Sequence, residues 1–184
     1  MGRDDQGVAQ SRARYQVIPR TLCFITHGAE VLLLRGGPHK RLWAGLYNGV
    51  GGHVERGEDV FSAARREIAE ETGLAVRDLR LAGVVHADAG DPDVGILFFV
   101  FTATAADRSV KPSEEGALEW VPATQPAGWP VVPAGLMVED LPILLPKALA
   151  VGPADPPFFA HYSYDEHDRL VVAFASAGRT TDGE

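Results

Sequence analysis

Apolar residues in this chain fall into short β-branched and aromatic runs separated by Gly, Pro and Asp, and one longer stretch between them has a different period. Residues 15–26 (YQVIPRTLCFIT) read as a strand, with Pro19 marking an edge or an irregular start. His27-Gly28 is a turn signal, and residues 30–35 (EVLLLR) form the return arm of a hairpin whose unbroken leucines predict burial on both faces. Residues 79–86 and 94–104 (VGILFFVFTAT) are two further strands, and HADAGDPD between them reads as a polar loop bordering a cleft. Residues 111–116 are a loop and 118–121 a short strand; residues 122–133, with four prolines, are ordered by packing or not at all. Residues 136–150 hold a helix that Pro142 and Pro146 make irregular or two-part, and residues 157–164 and 169–175 form a closing hairpin with EHD at its turn. Strand pairs interrupted by two helical stretches predict an α/β sandwich around a mixed sheet. The expected organisation is one domain over residues 15–177, with tails at 1–14 and 178–184.

The stretch with helical character is residues 59–72: alanines and long charged side chains without Pro or Gly, followed by Gly73 where a helix commonly ends in a left-handed residue. Ala64, Ile68 and Phe61 are expected to turn toward the core. Glu67, Glu70 and Glu71 stand at i, i+3 and i+4 and so share another face. Such crowding costs a helix a few tenths of a kcal/mol, and it gathers oxygen ligands for a hard divalent ion that also contacts phosphates. The plain alternative is an acidic, solvated face that binds nothing. Glu58, just before the helix, can join such a site or fix its loop. Arg66 reaches Glu70 at i+4, or Glu58 through the loop, and is expected to orient a carboxylate rather than touch substrate.

Two loops lead into this helix. Residues 36–47 (GGPHKRLWAGLY) place basic residues and His39 near Trp43, a setting for a phosphate or a base and equally for a solvated hairpin loop. The run Asn48-Gly49-Val50-Gly51-Gly52 permits close backbone approach to phosphate or metal.

Composition narrows the function classes. The 184 residues suit one core; 46% are hydrophobic and 23% charged, which are globular values. A net charge of −8 argues against a general binder of nucleic-acid polymers or anionic membranes, and leaves an anionic substrate in need of a cation. The single cysteine, Cys23, lies in an apolar run and reads as a buried, inert thiol. The first 14 residues lack the apolar run of a signal peptide and no stretch has transmembrane length, so the expected location is the cytoplasm.

The stretch GHVERGEDVFSAARREIAEETGL resembles the Nudix box, Gly-x5-Glu-x7-Arg-Glu-U-x-Glu-Glu-x-Gly-U with U aliphatic, and fills every fixed position: Gly52, Glu58, Arg66, Glu67, Ile68, Glu70, Glu71, Gly73 and Leu74. The resemblance implies an α/β/α sandwich that hydrolyses a nucleoside diphosphate linked to another group, with Mg²⁺ or with Mn²⁺ as a substitute. It places catalysis at Glu67, Glu70 and Glu71 with Arg66, and metal ligation at those three glutamates, the Gly52 carbonyl and a later acid, Glu115 or its neighbour Glu114. Within the family the likeness is to MutT-related oxidised-purine nucleoside triphosphate pyrophosphatases, carried by YNGVGGHVERGE before the helix and by the layout of LPILLPK and FFAHYSYDEHDRLVVAF. It implies that Asn48 hydrogen-bonds the base, that Trp43, Phe24 or Phe99 stacks near it, and that His53 stands where a phosphate-contacting lysine is usual. The acidic pair that holds the oxidised purine in the mammalian type falls on Leu136 and Met137 when Pro142 is aligned; Glu139 and Asp140, three residues later, are the acids at hand. Hydrolysis of ADP-ribose, dinucleoside polyphosphates or another conjugate is the alternative activity, and a non-catalytic nucleotide sensor the alternative class. A monomer or a homodimer is expected.

Overall fold

The computed structural model describes residues 14–40, 43–123 and 132–175. The tails, apart from Arg14, and most of the proline-rich stretch after Pro122 lie outside those residues. The elements run β1 (Gln16–His27), β2 (Glu30–Gly36), β3 (Tyr47–Asn48), α1 (Val60–Thr72), β4 (Val76–Asp91), β5 (Val94–Ala105), β6 (Gly116–Pro122), a 3-10 turn (Ala134–Leu136), α2 (Leu141–Leu149), β7 (Phe158–Tyr164) and β8 (Leu170–Phe174). Among the described residues one mixed sheet has the order β3-β2-β1-β5-β4-β7-β8, with β6 paired to β2. β1 runs parallel to β5 and β4 parallel to β7; the other pairs are antiparallel.

The two helices cover opposite faces, which gives the α/β/α sandwich. On one face Ala64 and Ile68 of α1 pack with Cys23, Ile25, Leu32 and Phe101. On the other, Leu141, Leu144, Leu145 and Ala148 of α2 pack with Leu22, Phe24, Val31, Leu33 and Val100. Val31, Leu32 and Leu33 of β2 alternate between these two cores, as an unbroken apolar run requires. Cys23 is fully buried, and burial pushes its thiol well above the ordinary range, so it is inert.

Helix α1 has the ends its sequence specifies. Asp59 caps it, accepting the N–H groups of Phe61 and Ser62 at 2.9 and 3.0 Å, and Gly73 closes it at φ 73° with its N–H on the Ala69 carbonyl. Asp59→Ala should lower unfolding free energy by about 1 kcal/mol, read as a shift of the urea midpoint at constant slope. Phe61 departs from expectation: it is 42% exposed and lays its ring edge-on to Phe101, with centroids 6.1 Å apart. It sits in the first turn, and Ala63, Ala64 and Ile68 supply the helix's buried contacts instead.

The β4–β5 pair is longer than its pattern suggests. HADAGDPD continues β4 to Asp91, and three register shifts between Arg77 and Asp91 bend the ribbon. Pro19 is flanked on both sides, by Leu97 of β5 and by the Val54 N–H that its carbonyl accepts, so it marks no free edge. The second helical stretch is two-part, as its prolines require: the 3-10 turn, then α2 with Pro142 in its first turn and Pro146 inside. No helix among the described residues is long and apolar enough to cross a membrane.

Candidate active site

The side of the sheet that carries α2 opens into a cleft of about 960 Å³. Its lining comes from β1 (Arg20, Leu22), the glycine run before α1, the inward face of α1 (Glu67, Glu71), β4 and β5 (Ala87, Phe98), the acids before α2 and the closing hairpin. Strand alternation selects these residues. Arg20, Leu22 and Phe24 share one face of β1, as do Ile96, Phe98 and Val100 on β5.

One end of the cleft is carboxylate and glycine. Glu71 is half-buried and accepts the Gly51 N–H at 3.1 Å. Burial pushes its carboxyl up to about 7; the charges of Glu67 and Glu70 add to this, while the Gly51 N–H and Lys40 oppose it. Glu67 also lines the cleft, with 13% of its side chain exposed, and its carboxylate fills the space where a Cβ on Gly52 would stand. Glu70 is turned outward, 60% exposed. Arg66 does not line the cleft. It grips Glu58 at 2.7 and 3.2 Å, Glu67 at 2.9 Å, Glu70 at 3.1 Å and the His53 carbonyl at 3.1 Å, tying the pre-helix loop to the helix. Its guanidinium holds the Glu58 carboxyl below the usual range, with the Glu55 N–H assisting.

These residues suit a hard divalent ion by donor type: oxygen ligands on one face, one of them a carboxylate that burial and like charge hold in an unfavourable state. In the arrangement seen, no three His, Cys, Asp or Glu side chains among the described residues close on a common point, and Arg66 donates to both Glu67 and Glu70. The Gly52 carbonyl already accepts the Thr21 N–H at 2.8 Å, which leaves it one lone pair. Of the later acids, Glu115 lines the cleft, paired with Lys40, whereas Glu114 is exposed and does not.

The other end is apolar with a polar rim. Asn48 lines it, its Oδ1 accepting the Gly49 N–H at 2.8 Å. Trp43, at φ 62° and 49% exposed, stands at the mouth with His53, which is also exposed. Phe99 is not in the cleft: it points to the α1 side and packs with that core, while its neighbour Phe98 lines the floor. Phe24 is buried in the α2-side core. Glu139 and Asp140 both line the wall. Glu139 accepts the Leu170 N–H at 2.9 Å, and burial raises the Asp140 carboxyl, with Glu139 adding to the shift and Tyr162 opposing it. The Tyr162 hydroxyl, though beside Asp140, is buried without a hydrogen bond of good geometry. Of the two positions that align with the mammalian acidic pair, Met137 is buried against Tyr47 and Leu136 is 40% exposed.

HADAGDPD borders the cleft as expected, through Ala87, Asp88, Ala89 and Gly90, and Arg20, Tyr162, Tyr164 and Asp168 line it without a signal of their own in the sequence. Only strand parity singles out Arg20, and only the parallel docking of β7 on β4 brings the closing hairpin round.

The family model described as NUDIX domain matches residues 18–140. The chain is 29% identical over 156 residues to the oxidized purine nucleoside triphosphate hydrolase of Mus musculus, covering 82% of this chain and 89% of that protein. It is 27% identical over 128 residues to the NAD-capped RNA hydrolase NudC of Haemophilus influenzae, covering 67% of this chain but only 48% of that protein. A MutT protein from Bacillus halodurans has the same fold, with a TM-score of 0.66 over 85% of this chain and 97% of that one at 24% identity.

Proposed function

The chain belongs to the NUDIX domain family as a phosphoanhydride hydrolase, and from that premise we propose that it cleaves a nucleoside triphosphate, an oxidised purine such as 8-oxo-dGTP, to the monophosphate and pyrophosphate. The observation that carries this reading is one cleft whose lining joins a carboxylate-and-glycine end, Glu67, Glu71 and the Gly51-Gly52 backbone, to an apolar floor that includes Phe98, with Asn48 beside it. Phosphates belong at that end and a flat, edge-polar base on the floor. The mouse relative, similar over most of both chains, is named for this activity.

Glu67 and Glu71, with Glu70 outside them, would hold Mg²⁺ or Mn²⁺. Such an ion supplies neutralisation of phosphate charge and an activated water. Arg66 offsets the repulsion between Glu67 and Glu70 by donating to both, and fixes the loop through Glu58. The Gly51 N–H anchors Glu71. The base lies on Phe98 and Leu22, with Asn48 and the acids Glu139 and Asp140 at its polar edges. A carboxyl held toward its protonated form, as Asp140 is, can donate a hydrogen bond as well as accept one. Trp43 and His53 close the mouth, with His53 at the position facing the phosphates.

A second reading is favoured by the breadth of the cleft. Its volume lies at the upper end for small-molecule sites, and Ala87, Ala89 and Gly90 leave one wall low. A nucleoside diphosphate joined to a second group would use that space. The test is product release from 8-oxo-dGTP, 2-oxo-dATP, the ordinary triphosphates, ADP-ribose and diadenosine polyphosphates, each with Mg²⁺ and with Mn²⁺. Preference for an oxidised purine is expected; faster turnover of ADP-ribose or a dinucleotide would replace the substrate and keep the carboxylate site.

The two adjacent phenylalanines separate base binding from packing. Phe98→Ala should raise KM about tenfold or more through loss of stacking, whereas Phe99→Ala should lower the melting temperature and leave KM within about threefold. The opposite pattern would put the base elsewhere.

A further inference from the structure

The cations that line the cleft or hold its carboxylates differ in one respect. Lys40 is paired with Glu115, and Arg66 is bound to Glu58, Glu67 and Glu70. The Arg20 side chain makes no ion pair or hydrogen bond among the described residues, and its Nε is buried without a partner. A buried Nε–H without an acceptor is costly unless something with acceptor oxygens meets it. Arg80 also has a buried Nε without a partner, but its Nη2 donates to the Val151 carbonyl just past α2 at 2.9 Å, and it does not line this cleft.

The position of Arg20 is as informative as its vacancy of partners. On β1 it stands two residues before Leu22 on the cleft face. It is in register with Phe98 of β5 on one side and bridged to His53 of the glycine loop on the other. It thus lies where the apolar floor meets the glycine-and-carboxylate end. A substrate with its base on the floor and its outer phosphates at Glu67 and Glu71 has one anionic group at that junction, the phosphate attached to the sugar. Arg is suited to it, because its planar fork binds two non-bridging oxygens at once. The charge also matters: among the described residues, with Lys40 and Arg66 already paired, Arg20 is a cleft cation available to offset substrate charge in a chain of net charge −8.

We propose that Arg20 is the residue that binds the phosphate next to the nucleoside and so sets the register of the substrate along the cleft. The inference rests on the nucleotide reading given above and concerns binding, with no bond made or broken at Arg20.

The test is binding of a nucleoside monophosphate against its parent nucleoside, by calorimetry without divalent metal, in wild type, Arg20→Gln and Arg20→Lys. Wild type should bind the monophosphate at least about tenfold more tightly than the nucleoside. Arg20→Gln should erase that difference while nucleoside affinity holds within about threefold, and Arg20→Lys should restore part of it. In turnover, Arg20→Gln should raise KM about tenfold or more with a smaller change in kcat. Equal affinity of wild type for monophosphate and nucleoside overturns the proposal, and that measurement needs no variant to fold. A parallel loss of both affinities in Arg20→Gln overturns it too, since Arg20 would then contact the base. If no phosphoanhydride is hydrolysed but the phosphate-dependent binding vanishes with Arg20, the hydrolase reading of the cleft fails and Arg20 keeps its role. Turnover with no effect of Arg20 on monophosphate binding is the converse.

Discussion

Glu67→Gln will leave a folded protein whose turnover at saturating Mg²⁺ is down by more than about 100-fold. The side chain keeps its volume, and what holds α1 lies elsewhere: the Asp59 cap, the Gly73 terminus and the buried Ala64 and Ile68. What changes is one charged oxygen. Glu67 Oε1 accepts from Arg66 at 2.9 Å, and the side chain is 13% exposed, so the amide replaces a well-shielded anion in the pair that lines the cleft. A second readout avoids turnover altogether. A divalent ion that binds the native state raises the melting temperature by mass action, and Glu67→Gln should shrink that Mg²⁺- or Mn²⁺-dependent rise. Unchanged turnover at saturating metal would remove Glu67 from the site, and a full thermal shift would remove it from the metal's ligands.

Helix α1 was legible because local and global signals agree there. Asp59 caps it, Gly73 ends it, and the fixed box positions occupy one register. The hairpin of β1 and β2 was legible for the same reason, and the broken second helix announces itself through Pro142 and Pro146. The misreadings have physical causes. HADAGDPD has the composition of a loop, yet a ribbon bent by register shifts carries Asp and Gly through to Asp91 as strand. In VGILFFVF both alternating sets are apolar, since β5 lies between two helix layers. Nothing local then decides whether Phe98 or Phe99 faces the cleft, and a slip of one residue exchanges them. Glu139 and Asp140 show the complementary case. Alignment on Pro142 sets them three residues out of register, but the 3-10 turn and the buried Met137 precede them, and both acids line the cleft wall. Arg20 is a lone charge in a strand whose sequence gives no hint that a cleft lies above it.

The glycine run supplies a test in which fold and chemistry part company between adjacent residues. At Gly51, φ is 152°, and an added Cβ would strike the Thr21 carbonyl oxygen and stand 2.8 Å from its carbon. That neighbour is backbone of β1 and cannot step aside. Gly51→Ala should therefore separate the loop from the strand and cost several kcal/mol, seen as a large drop in melting temperature. At Gly52 an added Cβ meets the Glu67 carboxylate instead, with Cδ 2.6 Å away. The end of a long side chain can swing, so Gly52→Ala should melt within a few degrees of wild type while losing about 100-fold in turnover, close to Glu67→Gln. The two changes should not add when combined, because the second removes a carboxylate that the first has already displaced. Full activity in Gly52→Ala would mean that the position of Glu67 against the glycine backbone has no part in the reaction. A loss of stability equal to that of Gly51→Ala would mean that the Gly52 carbonyl, bonded to Thr21, matters more to the fold than the room its missing Cβ leaves for Glu67.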